Sequence, residues 1–487
     1  IGLTTIDGVG QAGLESALDN YLSGKNGRVL GEIDGKGRAL SYGASEYVPA
    51  VDGGSAILTI DASIQSFCET AAREALSVNK AKAVRILAMN PKTGEILAMV
   101  NAPGFDLNDP PRSDIETLTE RMRNRLLTDA YEPGSTFKII TAASALDSGV
   151  VTVGEGFYCS GSTHVDGSRV RCWGKPHGAE TFAQALENSC NPVFVTVGLR
   201  MGADTFYQSM KQFGLLNRTG IDVPGEAGTI MHAQDQIGPV ELATISFGQS
   251  FQITPIQLAA TVSSLINGGT RITPHLGLYC EKTDGSERIS VQKETEQKRI
   301  LSEETSARLR SILFQVVENG GGKNAKVNGY AIGGKTGTAQ IYRNGKIESN
   351  LHIGSFVGFA PADNPRVALL VTVNEAKVKP DYGGTTAAPF AAQIFEEILP
   401  LLGVAKTEGG AEAKQTTMPD VTGMNVRDAK AILREAGIDA VTDGENPIVT
   451  GQLPPAGTTV QEGFCAVHPV HFAWARNKEE ERKCSRH

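Results

Sequence analysis

The chain has 487 residues, of which 40% are hydrophobic and 21% are charged, as in an ordinary globular protein with a large core. Its length predicts about three domains. The 54 acidic residues outnumber the 46 basic ones and give a net charge of −8. Nucleic-acid-binding proteins have a basic excess, so we exclude nucleic acid as a partner. No apolar run approaches the roughly 18 residues that a membrane span needs.

The chain starts at Ile1 without a signal-like segment, and its opening residues have the pattern of the middle of a fold. We therefore expect a fragment whose preceding part, together with any membrane anchor, is missing. Residues 1–50 are rich in glycine and contain short strand-like pieces. This stretch predicts the end of a truncated N-terminal domain.

From Val51 onward the sequence predicts a larger domain. Residues 57–60 have the pattern of a strand, and Asp61 is a predicted N-cap for the helix that follows. Two further strands, 84–89 and 96–100, are separated by a turn. A helix-rich middle comes next, and Ser302 is the predicted N-cap of its last helix, which ends at Val317.

A strand-rich stretch closes this domain. Asn344-Gly345 is a strong hairpin signal between predicted strands 338–342 and 346–348. Two more predicted strands and a helix follow, at 355–360, 367–373 and 387–402. Helices that are grouped apart from antiparallel strands predict an α+β domain, which we assign to residues 51–403.

The C-terminal part has three predicted segments. Residues 404–417 are rich in Gly, Ala, Lys and Glu and predict a linker. Residues 418–464 predict a small module with one amphipathic helix that stops at Gly437. Residues 465–487 are charged and irregular, and the pattern predicts no structure for them.

Seven cysteines occur without a CxxC pair, so their spacing supports neither a zinc site nor a thioredoxin-like motif. Cys159 and Cys172 flank a predicted hairpin that turns at Asp166-Gly167. A two-residue turn would pair Cys159 with Gly174 and Cys172 with Gly161, about 7–8 Å apart as diagonal neighbours. That separation is slightly long for an unstrained disulfide, so both a disulfide and free buried thiols stay open.

Acyl transfer without a histidine needs a serine, a base that takes its proton, and donors for the oxyanion. Ser135-Thr136-Phe137-Lys138 offers the first two, because residues three apart share a helix face. The predicted helix runs from Ser135 to Gly149. The positive end of its dipole would favour negative charge on Ser135 and a neutral Lys138.

The order of three motifs separates this segment from chance matches. Ser77/Lys80 and Ser290/Lys293 have the same spacing, and Lys-Thr-Gly occurs both at Lys92 and at Lys335. The full order of Ser-x-x-Lys, Ser-x-Asn and Lys-Thr-Gly is found at one set of positions: Ser135/Lys138, Ser189-Cys190-Asn191 and Lys335-Thr336-Gly337. In the competing set that ends at Lys92, Ser77 would have to serve as both the first and the second serine, so we reject that set.

These motifs resemble those of the class B high-molecular-weight penicillin-binding proteins. The resemblance spans nearly the whole chain, and its further segments are Tyr131-Glu132-Pro133-Gly134, 220–226, 254–257, 334–339 and 356–361. Residues 418–463 look like one PASTA module. The single module and the cysteine pattern are most similar to sporulation- or division-type members from Gram-positive bacteria. Residues 1–50 would then end a dimerisation or pedestal domain.

The resemblance implies a role for each matching residue. Ser135 would attack the D-alanyl-D-alanine end of a peptidoglycan stem peptide, with Lys138 as the base and Ser189 as a proton relay. Asn191 would hold Lys138 and a substrate amide. Lys335 would supply positive charge, and the strand segment Thr336-Gly337-Thr338 would bind the substrate, its two threonines meeting the carboxylate. Backbone N–H groups of Ser135 and Thr338 would form the oxyanion hole, and β-lactams would acylate Ser135.

The resemblance also implies a setting for the protein. We expect no cofactor and no metal in the reaction. The expected location is the outer face of a bacterial cell membrane, held there by an N-terminal helix that this chain lacks. A lipid-linked glycan polymerase and other wall-synthesis proteins are the expected partners.

Three other functions stay open. Residues 329–336 fit the P-loop formula, but a P-loop needs a helix directly after its lysine, and the residues after Lys335 predict a strand. A D,D-carboxypeptidase or a β-lactamase-type hydrolase would share the acylation chemistry. A non-catalytic sensor that binds muropeptides or β-lactams is the third alternative. His177 and His352 are candidates for the border of the cleft, but such histidines are more often ordinary packing or surface residues, and we assign them no role.

Overall fold

The computed structural model describes residues 2–36, 38, 40, 45–283, 285–292, 298–343, 346–406, 415–443, 447–449, 451–452, 455–461 and 465–469. Among these residues, no helix has both the length and the apolar character needed to cross a membrane. The N-terminal segment forms two small hairpins and two short helices. Their bounds are β1 Gly2–Thr4, β2 Gly10–Ala12, α1 Gly13–Ala17, α2 Asp19–Leu22, β3 Arg28–Gly31 and β4 Ser45–Val48. Its origin in a larger domain stays a prediction.

The main domain is built on a five-stranded antiparallel sheet. Along the chain, the domain begins with β5 Ser55–Leu58, α3 Ala62–Val78, β6 Ala83–Met89 and β7 Ile96–Ala102. It ends with β14 Gly333–Arg343, β15 Lys346–Ala360, β16 Val367–Asn374, α13 Gly383–Thr386 and α14 Ala388–Leu401. The strand order is β14-β15-β16-β6-β7, so β14 lies at one edge. The Asp61 side chain caps α3 by accepting from Ser63 N and Ile64 N, as predicted.

Helices cover both faces of this sheet. Alternate residues of a strand point to opposite faces. Val84 and Ile86 of β6 pack with residues of α3 and α14 on one side, whereas Leu87 and Met89 join the core of the helical part on the other. The central strands are therefore buried on both faces, and the α+β class predicted from the sequence is confirmed.

The helical part lies between β7 and β14 along the chain. Its helices are α4 Ile115–Met122, α5 Arg125–Thr128, α6 Lys138–Asp147, α7 Phe182–Glu187, α8 Asn191–Met201, α9 Ala203–Gln212, α10 Pro239–Ile245, α11 Pro255–Ile266 and α12 Glu303–Glu318. Its strands are β8 Gly156–Cys159, β9 Ser162–Val165, β10 Ser168–Arg171, β11 Gly178–Thr181, β12 Gly277–Glu281 and β13 Arg288–Ser290. Three 3₁₀ turns are found at Gly134–Phe137, Gln234–Gln236 and Lys323–Ala325. Ser302 caps α12 as predicted.

Several local predictions need correction. The first turn of the Ser135 helix is a 3₁₀ turn, and α6 begins only at Lys138. The predicted strands 346–348 and 355–360 are one continuous strand, β15, which pairs with β14 along most of its length. The hairpin turn itself, Asn344-Gly345, lies outside the described residues.

The hairpin at Asp166-Gly167 is confirmed, because Val165 pairs with Ser168. Cys172 N donates to Gly161 O as expected, but Cys159 pairs with Gly178 rather than with Gly174. The reason is that β8 does not continue the β9–β10 hairpin and pairs instead with β11, three strands further along the chain. Both cysteines are free thiols.

The C-terminal module contains β17 Gln415–Thr417, α15 Val426–Glu435, β18 Asp439–Asp443, β19 Thr459–Gln461 and β20 Cys465–Pro469. Its helix stops before Gly437, which has the predicted left-handed conformation with φ +74°. β20 pairs in parallel with β18, so residues 465–469 are a strand and not irregular tail. Most of the predicted linker and the rest of the predicted tail lie outside the described residues.

Candidate active site

Ser135 stands on a buried helix in the middle of the main domain. It belongs to the 3₁₀ turn Gly134–Phe137, and α6 continues directly from that turn. The residues of α6 from Lys138 to Leu146 are buried. Phe137 is fully buried and its ring centroid lies 4.6 Å from that of Phe251. This packing fixes the serine on a rigid support.

Gly134 brings the serine turn close to the edge of the sheet. It has a left-handed conformation with φ +56°, and its N–H donates to Gly248 O at 2.9 Å. A Cβ at this position would lie 2.8 Å from Thr338 O on β14. Both the backbone angle and the close approach require glycine here. Ser135 consequently lies beside the strand that carries the Lys-Thr-Gly motif.

Lys138 is the centre of a hydrogen-bond network. Its Nζ lies 3.3 Å from Ser135 Oγ, 3.1 Å from Ser189 Oγ, 2.7 Å from Ser189 O and 2.6 Å from Asn191 Oδ1. The side chain of Lys138 is fully buried. The structure thus joins four of the predicted residues through one amine.

Burial lowers the pKa of Lys138 well below its usual value, and the nearby positive charge of Lys335 lowers it further. Burial also lowers the pKa of Lys335, to about 7. A lysine with a depressed pKa is neutral part of the time near neutral pH, and the neutral amine is the form that accepts a proton. Lys138 therefore has the position and the electrostatic environment of a base for Ser135.

The second motif lies in the turn between α7 and α8. Ser189 has a left-handed backbone with φ +56°, which is uncommon for a residue other than glycine and is found often at functional sites. Asn191 is the first residue of α8, and its Nδ2 donates to Arg171 O at 3.1 Å. The turn directs both side chains at Lys138.

The third motif lies on the edge strand β14. Lys335 is fully buried, while Thr336 and Thr338 are partly exposed. A Cβ on Gly337 would lie 2.9 Å from Thr136 Cγ2, so glycine lets the strand pass close to the serine turn. β14 continues as a strand through and beyond Lys335, which excludes the P-loop alternative.

The competing motifs are on the surface. Ser77 and Lys80 are exposed at the end of α3. Lys92 is exposed too, and its Nζ contacts Asn364 Oδ1 at 2.6 Å. Ser290 is exposed on β13, and Lys293 lies outside the described residues. None of the described members of these sets has the buried contacts of Lys138.

The segment from Lys379 through the start of α13 also lies at the site, although no sequence pattern predicted it. Gly383 N lies 3.3 Å from Thr338 Oγ1, and a Cβ on Gly383 would lie 2.2 Å from Gly337 O. Asp381 is buried, and burial by itself raises its pKa. Its carboxylate accepts from His352 Nδ1 at 2.8 Å and from Lys379 Nζ at 2.9 Å, and these two contacts lower the pKa below its usual value. The pair of adjacent glycines at 383–384 is the feature of the sequence that could have indicated this segment.

Four potential metal ligands lie next to the second motif: Cys159, Cys172, His177 and Cys190. Cys190 is the middle residue of Ser-x-Asn. The hydrogen bond between the two thiols lowers the pKa of Cys172 and raises the pKa of Cys190, and burial raises the pKa of Cys190 further. Of these four residues, the sequence predicts proximity only for Cys159 and Cys172, as a hairpin pair.

Comparison with protein families gives two matches. Residues 84–396 match the penicillin binding protein transpeptidase domain, and residues 416–463 match the PASTA domain. The first match contains the three motifs described above and extends over more than half of the chain.

Individual relatives agree with these matches. Stage V sporulation protein D of Bacillus subtilis is 40% identical over 472 residues, which is 95% of this chain and 72% of that protein. The probable peptidoglycan D,D-transpeptidase PenA of Neisseria meningitidis serogroup A is 32% identical over 414 residues, 84% of this chain and 68% of that protein. The aztreonam complex of penicillin-binding protein 3 from Mycobacterium tuberculosis has a TM-score of 0.73 at 27% identity, covering 85% of this chain and 90% of that one.

Proposed function

Because the chain belongs to the penicillin-binding protein transpeptidase family, we propose that it cross-links peptidoglycan stem peptides through an acyl-enzyme on Ser135. The observation that carries this proposal is the contact of one buried amine, Lys138 Nζ, with Ser135 Oγ, Ser189 Oγ and Asn191 Oδ1. The PenA relatives carry the name probable peptidoglycan D,D-transpeptidase, which supports the same activity.

Acylation starts with attack of Ser135 Oγ on the carbonyl carbon between the two D-alanines. Neutral Lys138 takes the hydroxyl proton as the new C–O bond forms. The C–N bond then breaks, and Ser189 passes a proton from Lys138 to the departing nitrogen. The terminal D-alanine leaves as an amine, and the rest of the stem peptide stays esterified to Ser135.

The edge strand β14 binds the substrate. Its outer edge is free of a sheet partner among the described strands, so an extended stem peptide can pair with it. Lys335, Thr336 and Thr338 would bind the terminal carboxylate, with Gly337 keeping the strand close to the serine. The N–H groups of Ser135 and Thr338 would hold the oxyanion.

The acyl-enzyme is resolved by an amine from a second stem peptide. The amine attacks the ester carbonyl, Lys138 and Ser189 remove its proton, and Ser135 is released with the cross-link formed. A β-lactam binds in the same cleft, where its carboxylate is held, and acylates Ser135. Because the ring-opened product stays attached, no leaving group makes room for the acceptor, and the adduct is long-lived.

The proposal includes a place in the cell, which membership of the family supports. We assign its action to the outer face of the bacterial membrane, where the substrate is found. A membrane anchor in a preceding segment and a lipid-linked glycan polymerase as partner complete the proposal. The PASTA match at residues 416–463 supports work at the cell wall.

The test is acylation by benzylpenicillin, recorded as intact mass. We expect one adduct on the wild-type chain, none on Ser135→Ala, and a full adduct on the matched control Ser77→Ala, which alters the exposed serine of the competing motif. Rapid drug hydrolysis without an adduct would favour a β-lactamase-type hydrolase. A folded wild-type chain that gives neither adduct nor hydrolysis would contradict the proposal and favour a binding role.

A further inference from the structure

The serine turn has a second neighbour besides the edge strand β14. A Cβ on Gly134 would lie 2.8 Å from Thr338 O of β14, whereas the Gly134 N–H donates to Gly248 O at 2.9 Å. Phe251 belongs to the same segment as Gly248 and packs on Phe137 with ring centroids 4.6 Å apart. The serine turn therefore contacts both β14, which would bind the donor peptide, and the segment that follows Gly248.

A cavity of about 400 Å³ opens beside this second segment. Glu132 and Ser250 line it next to the serine turn, and Ile230, Met231 and Phe251 give it apolar walls. Ile230 and Ser250 are exposed, so the cavity is open to solvent. A cavity of this size, with apolar walls and few polar groups, is typical of a site for a small ligand or for one side chain of a larger one.

The polar group of this cavity is a buried carboxylate. Glu132 is 5% exposed, and its Oε1 accepts from Ser250 N at 2.9 Å. Among the described residues that line the cavity, none is a lysine or an arginine, and the one histidine, His232, is exposed. A cation that enters can form a charge-assisted hydrogen bond with Glu132 where water screens the charges weakly. The cavity therefore fits a ligand with an apolar stem and a positive end.

We propose that this cavity binds the acceptor of the cross-linking reaction through its amine-bearing alkyl side chain. The inference rests on the proposed function, because only a transpeptidase has a second peptide to bind. An alkylamine with a pKa of about 10.4 is almost wholly protonated at neutral pH. Its methylene groups would pack on Ile230, Met231 and Phe251, and its ammonium would meet the carboxylate of Glu132.

The bound ammonium loses one proton to solvent before it reacts. The neutral amine then attacks the ester carbonyl on Ser135, so that the new C–N bond forms and the C–Oγ bond breaks. A second proton leaves the nitrogen and passes through Ser189 and Lys138 to Ser135 Oγ. Glu132 binds and orients the acceptor and takes no proton in this sequence.

The first experiment measures how the acyl-enzyme divides between amine and water. The acyl-enzyme is formed with a thioester analogue of the donor, in which sulfur replaces the nitrogen of the last residue. A stem peptide with a free lysine side chain is the acceptor, and mass spectrometry gives the ratio of amide to hydrolysed product. Glu132→Gln should raise the acceptor concentration for half-maximal amide formation at least roughly tenfold. Because both products come from one acyl-enzyme, any change in the acylation rate cancels in the ratio.

Two further variants separate the cavity from general effects on the fold. Glu226 is also buried and accepts from a backbone N–H, that of Thr219 at 2.6 Å, but it does not line the cavity. Glu226→Gln should therefore keep the wild-type acceptor concentration, and an equal rise in both glutamine variants would overturn the proposal. Gln236 is an exposed residue of the lining, and Gln236→Lys should weaken acceptor use by adding a positive charge without altering Glu132.

The second experiment begins with the wild-type chain and so does not depend on whether variants fold. Two peptides compete with the acceptor. One carries trimethyllysine, which is charged but has no lone pair for attack, and the other carries norleucine, which is uncharged. Trimethyllysine should inhibit amide formation at least roughly tenfold more strongly, and Glu132→Gln should remove this difference. Equal inhibition in a wild-type chain that benzylpenicillin acylates would overturn the acceptor site alone. A chain that benzylpenicillin does not acylate would overturn the proposed function and this site with it.

Discussion

Ser135/Lys138 and Ser77/Lys80 have the same four-residue pattern in opposite environments. Lys138 is fully buried, and its Nζ lies within 3.3 Å of four oxygens. Ser77 and Lys80 are exposed at the C-terminal end of α3. Water solvates an exposed ammonium and keeps it charged, whereas burial disfavours the charge. The two segments share one spacing, but burial gives Lys138 a lowered pKa and the environment of a base.

The two Lys-Thr-Gly segments differ in the same way. Lys335 is fully buried on an edge strand beside the serine turn. Lys92 lies in an exposed turn between β6 and β7. Each surface segment is thus a control within the same chain for its buried counterpart, and matched substitutions test how much the environment contributes.

The largest difference is expected between Lys138→Ala and Lys80→Ala. Loss of a general base lowers reaction rates by about 10²–10⁴-fold, so Lys138→Ala should slow benzylpenicillin acylation by about 10³-fold. Lys80→Ala should leave the rate unchanged. Stopped-flow or intact-mass kinetics measure both, and circular dichroism checks that both variants fold. A similar loss in the two variants would show that the contrast in burial has no bearing on catalysis.

Lys335→Ala and Lys92→Ala form the second pair. A hydrogen bond to a charged group contributes about 1.5–3 kcal/mol, which corresponds to roughly 10- to 100-fold in the second-order acylation rate. We expect this loss for Lys335→Ala, mainly as weaker binding of the drug carboxylate, and none for Lys92→Ala. Drug concentration series separate binding from the chemical step. A loss confined to the chemical step would contradict carboxylate binding by Lys335.

The pH dependence tests the same lysine. Burial lowers the pKa of Lys335 to about 7, so its charged form predominates below that pH and is lost as the pH rises through it. Acylation by an anionic penicillin should therefore fall above about pH 7, by up to tenfold per pH unit. Lys335→Arg keeps its charge at every accessible pH and should remove this alkaline decline. A wild-type rate that stays constant from pH 6 to 9 would contradict a requirement for charged Lys335.

Local features of the fold were predictable because their causes are local. A capping carboxylate at Asp61 and a capping hydroxyl at Ser302 each act within three residues of the helix that they start. The hairpin at Asp166-Gly167 depends on the same kind of short-range preference. The order of the three motifs predicted which residues lie together for a different reason, since a chance match seldom repeats in the right order.

The remaining features depend on which distant segments meet. Gly383 contacts Thr338, and Cys190 lies beside Cys159 and His177, although nothing in the spacing of these residues indicates it. The pairing of β8 with β11 placed Cys159 opposite Gly178, whereas the hairpin rule gave Gly174. A turn fixes the register of its own two strands only, so it does not predict how a strand outside the hairpin pairs.

The smallest effect is expected at the cap of the helix that carries the competing motif. Asp61 accepts hydrogen bonds from Ser63 N and Ile64 N, and loss of an N-cap costs about 1 kcal/mol. Asp61→Ala should lower the denaturation midpoint slightly, and Asp61→Asn, which keeps an acceptor, should restore most of it. Neither change should affect acylation of Ser135, because α3 packs on the face of the sheet opposite the helical part that holds Lys138. Slower acylation in Asp61→Ala, with an unchanged rate in Lys80→Ala, would show that α3 influences the active site through the sheet. The two Ser-x-x-Lys motifs would then differ in their distance from the site as well as in burial.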